Sequence, residues 1–265
     1  MERSQEETRG TAMIEIRSCS AMGEFDACVR LETETWGYDE TEVVPRKTFL
    51  LAQKIGGQVI GAFDAGEGGK PEDLIGFAMS LPGIKVVENQ ATPYLHSHML
   101  AVRGDRRNCG VGAQLKREQR REALERGIRH MEWTFDPLEI KNAFLNIHRL
   151  GAVCRSYREN FYGVSSSRLQ GGLPTDRLVA EWELASSRVQ AFLEGRPITA
   201  TGIEVRIVIP ASIERWKASD TARALAVQTE NRNKFEAAFA RGLAVLGFSR
   251  DANGNGVFEL GRFPN

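Results

Sequence analysis

The sequence predicts an α/β protein in which short strands alternate with helices. Three observations predict it. Some apolar runs recur with period two and others with helical spacing, and glycine or proline separates nearly every pair of runs. Two of the strand-like runs, Gln58–Phe63 and Leu74–Ser80, flank a Gly- and Pro-rich turn and form an antiparallel hairpin. A third run, Tyr94–Val102, leads through a glycine loop directly into a charged helix.

The elements follow in order. Residues 1–12 are polar and expected to be a flexible N-terminus, and Met13–Arg17 alternates as a half-buried strand does. Phe25, Cys28, Val29, Leu31 and Thr35 mark a helix over Glu24–Trp36, closed by Gly37. Pro45 opens a second helix to Lys54, with Gly56 and Gly57 after it. After Val102, the helix Ala113–Arg126 ends at Gly127. Met131–Phe135 is a strand halted by Asp136-Pro137, Asn142–Leu150 is a helix stopped by Gly151, and Tyr157–Tyr162 and Arg177–Leu184 are extended. Ser186–Gly195 is a short helix, and Arg196-Pro197 marks a boundary. Beyond it the pattern predicts a strand (Ile203–Ile209), helices over Ile213–Val227 and Asn231–Leu246, and a closing pair around Asn253–Gly256. Phe235, Phe239, Leu243 and Leu246 are read as the core face of the last helix.

Composition narrows the function. The 265 residues carry 35 basic and 35 acidic side chains, which gives no general affinity for nucleic acid. The uncharged stretch 89–102, which contains Pro93 and two histidines, is too short for a membrane span, and the Glu-rich start lacks a signal-peptide core, so cytoplasmic residence is the expectation. Four scattered cysteines and four histidines without metal-ligand spacing predict no disulfide framework and no metal. Residues 103–129 hold nine basic against four acidic side chains. Such a block suits a small anionic ligand, and its helical part equally suits a solvated face.

Arg107-Asn108-Cys109-Gly110-Val111-Gly112-Ala113 carries the chemistry. Two glycines one residue apart let a ligand approach the backbone, and the first helical turn offers free N–H groups at the positive end of its dipole. Together they suit a pyrophosphate, with Arg106 and Arg107 as further phosphate partners. The loop lacks the GK[ST] of a P-loop and the third small residue of a dinucleotide fingerprint.

Arg107–Gly112, an R-x-x-G-x-G run five residues after Val102, resembles the acyl-CoA-binding motif of GNAT N-acetyltransferases. Within that family, Trp133–Leu138, Asn142-Ala143 and Gly172–Arg177 are similar to a bacterial subgroup of predicted acetyltransferases. The resemblance implies a mixed, mostly antiparallel sheet splayed at the cofactor site and flanked by helices. It implies acetyl-CoA, or another short acyl-CoA, lying along Leu100, Ala101 and Val102, with its pyrophosphate on the amides of Asn108–Ala113 and Asn142 near the cofactor. The helix tyrosine that commonly protonates the leaving thiolate is replaced by Ile147, which leaves Tyr157 as the candidate acid. His96 and His98 alternate on one strand and share a face, and an unperturbed imidazole can take a proton near neutral pH. Their His-x-His-x-Leu-Ala-Val setting resembles that of arylalkylamine N-acetyltransferases, which implies a base. Trp133, Phe135, Asp136, Asp176 and Arg177 are candidates for the acceptor pocket.

The expected organisation is an acyltransferase domain over 13–195 and an α/β extension over 196–265 that completes the sheet, caps the site or joins two copies in a homodimer. The expected function is direct acyl transfer to a small-molecule amine. A fold that binds acyl-CoA without turnover is the alternative.

Overall fold

The structure is a computed structural model and describes residues 14–65, 69–196 and 198–263. The expected flexible segment 1–12, Met13 of the first strand and Pro197 of the boundary lie outside the described residues. The first half runs β1 (Ile14–Ser18), α1 (Met22–Trp36), α2 (Arg46–Lys54), β2 (Gln58–Asp64), β3 (Leu74–Val87), β4 (Gln90–Val102) and α3 (Val111–Glu125). It continues with β5 (His130–Phe135), α4 (Ile140–Ala143), a π-helical turn over Phe144–Arg149, β6 (Val153–Arg158), β7 (Arg177–Glu183) and α5 (Ser187–Leu193). β8 (Ile203–Ile209), α6 (Ile213–Ser219), α7 (Thr221–Ala240), β9 (Leu243–Arg250) and β10 (Gly256–Arg262) complete it.

Among the described residues ten strands form one sheet in the order β1-β2-β3-β4-β5-β7-β6-β9-β10-β8. Every pairing is antiparallel except β4 with β5, so the mixed, mostly antiparallel sheet is present. The last three strands continue the sheet through a single register pair, Cys154 with Val245. Phe25, Phe49, Phe77, Met79 and Met99 bury one face of the first strands under α1 and α2, and Val111 and Leu115 of α3 cover Ile60 and Ile75. A larger core joins Trp133, Trp182, Tyr157, Phe235 and Phe258 across β5 to β10. Among the described residues no helix is long and apolar enough to cross a membrane.

Four elements differ from the sequence reading. β3 and β4 extend to residues 87 and 90 around a two-residue turn, with Glu88 at φ 49° and Asn89 at φ 62°. That turn contains no glycine, so nothing in the composition marked it. The last helix starts at Thr221 instead of Asn231, because the Asp220 carboxylate accepts from the Arg223 amide at 3.1 Å and caps it. It ends before Gly242, which sits at φ 75°, so Leu243 and Leu246 belong to β9 and not to a helix face. The segment after Arg158 turns instead of extending to Tyr162.

Candidate active site

β4 and β5 run parallel for only two residue pairs, Leu95 with Met131 and His96 with Glu132. Past them the strands part. At the parting, β4 bulges: Ser97 pairs with Ser80 and Met99 with Met79, which leaves His98 as the extra residue. A groove of about 460 Å³ opens there, with Ser97 to Leu100 on one wall and Trp133 to Asp136 on the other.

One end of the groove meets α3. Gly110 is its N-cap at φ 83°, a conformation that favours glycine, and a Cβ built there would meet nothing within 4 Å. Gly112 would place a Cβ 3.4 Å from Leu100 and 3.8 Å from Leu145, both on the groove wall. The amides of the first α3 turn lie beyond any intrahelical acceptor and are the free donors an anion needs. These residues fit a pyrophosphate. Arg107 is exposed and its Nε donates to the Val102 carbonyl at 3.1 Å. Arg106 is instead engaged by Asp64. Most of the remaining basic block is structural: Arg117 and Arg120 donate to the Leu193 and Leu184 carbonyls at 2.9 and 2.7 Å, and Arg121 pairs with Glu118 and Glu125.

The groove also contains a carboxylate that sequence reasoning missed. Glu32, on α1, is 0% exposed and lines the groove. Its Oε1 accepts from the Val44 amide at 2.9 Å, while Oε2 has no hydrogen-bond partner. Burial pushes its pKa up to about 7. Tyr38 stacks on Trp36 at 5.8 Å, and burial, with the Glu32 charge adding to it, lifts the phenol to about 12. Burial lowers the His98 pKa, and the neighbouring His96, with ring centroids 6.4 Å apart, adds to the effect. His98 is open to the groove.

Deeper in, Lys217 of α6 reaches Asp136 Oδ2 at 2.9 Å and Glu139 Oε1 at 2.6 Å. α6 thereby holds two groove residues. Arg177 donates to the Asp176 carbonyl at 2.8 Å and to Gln170 Oε1 at 3.2 Å, and lies over the Tyr162 ring. Asn142 also borders the groove, its Oδ1 accepting from Asn146 at 3.3 Å.

No protein-family model matches the chain, and no curated protein does. Solved structures do. NAA60 of Arabidopsis thaliana in complex with a bisubstrate analogue superposes with a TM-score of 0.50 at 15% identity, covering 64% of this chain and 97% of that one. The chain has the GNAT fold. The Escherichia coli ribosomal-protein-S18-alanine N-acetyltransferase gives 0.48 at 16% identity, over 73% of this chain and 100% of that one. A GNAT family acetyltransferase from Elizabethkingia anophelis with acetyl-CoA bound gives 0.44 at 16% identity, over 64% and 97%.

Within the GNAT fold, the sequence-derived candidates divide. His98, Leu100, Trp133, Phe135, Asp136, Asn142 and Arg177 border the groove. Ala101 is buried opposite Phe77, Val102 ends β4, residues 107–110 lead into α3, and Val111, Gly112 and Ala113 open that helix. Cys109 is exposed there. Tyr157 and Asp176 do not border the groove: the Tyr157 hydroxyl donates to Asp176 Oδ2 at 2.7 Å, and Asp176 also holds Arg232 at 3.1 Å. Burial, with the Asp176 carboxylate adding to it, raises the Tyr157 pKa far above that of a free phenol.

His96 is outside the groove as well, its Nδ1 3.6 Å from Glu132 Oε1 in a cluster with Lys85, Tyr94, His130 and Glu183. His130 sits 2.6 Å from Glu183 and 3.8 Å from Glu132. Burial opposes its charge, but these carboxylates outweigh burial and the nearby Lys85 and raise its pKa to about 9. A histidine that binds its proton more tightly when folded stabilises the fold below its unfolded pKa of roughly 6.5 and loses that contribution as pH rises through 9. Stability by urea unfolding should fall by on the order of 2 kcal/mol between pH 6.5 and 9.5, and His130→Gln should flatten that slope.

Proposed function

We propose that this chain is an acyl-CoA-dependent N-acyltransferase, most simply an N-acetyltransferase, that moves the acyl group to an amine by direct attack. One observation carries the reading. The gap where β4 leaves β5 adjoins the free amides of α3, and its lining includes both a buried carboxylate with an unused oxygen and His98. Similarity of Trp133–Leu138 and Gly172–Arg177 to a bacterial subgroup of predicted acetyltransferases supports the same reading.

Bound acyl-CoA supplies the thioester. The α3 amides and Arg107 hold its pyrophosphate, and the unpaired edge of β4 at Leu100 offers backbone hydrogen bonds to the pantetheine arm. Glu32 Oε2 draws in the acceptor as an ammonium and takes its first proton. His98 takes the second proton as the nitrogen–carbon bond forms and passes it to the leaving thiolate.

Calorimetry tests the cofactor half. The wild-type chain should bind acetyl-CoA at the micromolar scale, and Gly110→Trp, which places an indole over the free amides, should abolish binding. Equal binding by both removes this loop as the site.

A second reading, an acyl-CoA-binding module without turnover, is favoured by Ile147, fully buried where the family resemblance expects a tyrosine, and by Tyr157 turned to Asp176. Release of free thiol over a panel of amines separates the two, since a binder releases none with any acceptor.

A further inference from the structure

Between the parting strands lies a lysine that the proposed mechanism does not use. Lys116, on the inward face of α3, is 3% exposed and borders the groove. Its Nζ donates to Ser97 Oγ at 2.7 Å and lies 3.7 Å from the centroid of the Trp133 ring, so it is held between β4 and β5 where they separate. Ser97 passes its own proton to Gln119 Oε1 at 3.0 Å and so receives from the lysine without giving to it. Among the described residues no carboxylate pairs with Lys116.

The accounting of protons and lone pairs on Nζ is informative. A neutral amine has two N–H bonds and one lone pair. In that state the Ser97 oxygen accepts one N–H, and the second N–H faces Trp133, whose ring centroid 3.7 Å away would hold an ammonium as well. No donor is given to the lone pair. Burial alone, with no acid to offset it, drives the pKa well below that of an ordinary lysine and favours this neutral state. A neutral amine with a free lone pair is a nucleophile.

We propose that Lys116 is a site of self-acylation, modified by the acyl-CoA bound in the same gap. The Nζ lone pair attacks the thioester carbonyl, the N–C bond forms and the C–S bond breaks. One amine proton goes to the leaving thiolate, which departs as free CoA. The product is a secondary amide too stable to pass its acyl group onward, so Lys116 is a modification site that narrows the gap and not an intermediate in turnover. The proposal rests on acyl-CoA binding as read above.

The test incubates the wild-type protein with acetyl-CoA, without any amine acceptor, and maps adducts by peptide mass spectrometry across pH 6 to 10, with acetyl-CoA binding followed by calorimetry in parallel. The expected result is one acetyl group per chain, on Lys116, at a rate that levels off well below pH 10, whereas exposed lysines react slowly and still accelerate toward their pKa of roughly 10.4. Lys116→Met, a linear side chain that fills the same space, should bind acetyl-CoA and take up no acetyl group at that position or in its place. Binding without an adduct on Lys116, or adducts confined to exposed lysines, overturns the self-acylation and leaves the proposed function standing. No binding of acetyl-CoA by the wild type overturns both.

Discussion

Glu32→Gln is expected to lower kcat/KM for amine acceptors by roughly 10²- to 10⁴-fold, the range a positioned proton acceptor contributes. Glutamine keeps the size and can still accept from the Val44 amide, but it cannot draw in an ammonium or take its proton. Acyl-CoA binding, set at the α3 end, should be unchanged. With the Glu32 pKa near 7, wild-type kcat/KM should rise with pH through that value, and the variant should lose this limb. Stability should move the other way. The folded state binds the Glu32 proton more tightly than the unfolded chain, so the wild type loses stability as pH rises from 4.5 to about 7. Above pH 7 the glutamine variant should be more stable, by about 2 kcal/mol, in urea unfolding. An unaltered pH–rate profile in the variant would remove Glu32 from the chemistry.

Lys217→Met should destabilise the chain by about 3–5 kcal/mol, the cost of breaking a buried ion pair by deleting one partner. Lys217 and Asp136 are both almost fully buried, at 4% and 9% side-chain exposure, and Glu139 shares the same ammonium. Glu214 stands near them, its pKa lifted to about 6 first by burial and then by Glu139. Without the lysine, carboxylates face one another in a low-dielectric corner. Protonating them relieves the repulsion, so the loss should shrink as pH falls from 7 toward 5. Because Asp136 and Glu139 line the groove, KM for the acceptor should change more than acyl-CoA affinity. A loss below about 1 kcal/mol would mean that this contact does not fasten α6 to the groove.

Glu32 and Lys116 show why the site was only partly legible. Glu32 stands four residues after Cys28 and seven after Phe25, on the buried face of α1. Lys116 shares the inward face of α3 with Leu115, Gln119 and Ala123. A charge on an apolar stripe was the available signal in both cases, and helical periodicity could have exposed it. What lies opposite each charge depends on partners 12 and 19 residues away, Val44 and Ser97, and on the angle at which strands diverge. Tyr157 is the converse: its position just past a helix suggested a role, but Asp176 and Phe235 claim its hydroxyl and its ring.

Local chemistry determined the alternation of strands and helices, the turn from Val102 into α3, and the glycines that free its amides, because periodicity, φ preference and unsatisfied helix termini act within a few residues. Tertiary structure alone decided that β4 and β5 part after two residue pairs, that His98 occupies the bulge, and that α6 reaches back to Asp136. Those outcomes depend on how strands far apart in sequence align and which side chains fill the space between them, and no short stretch of residues contains that information.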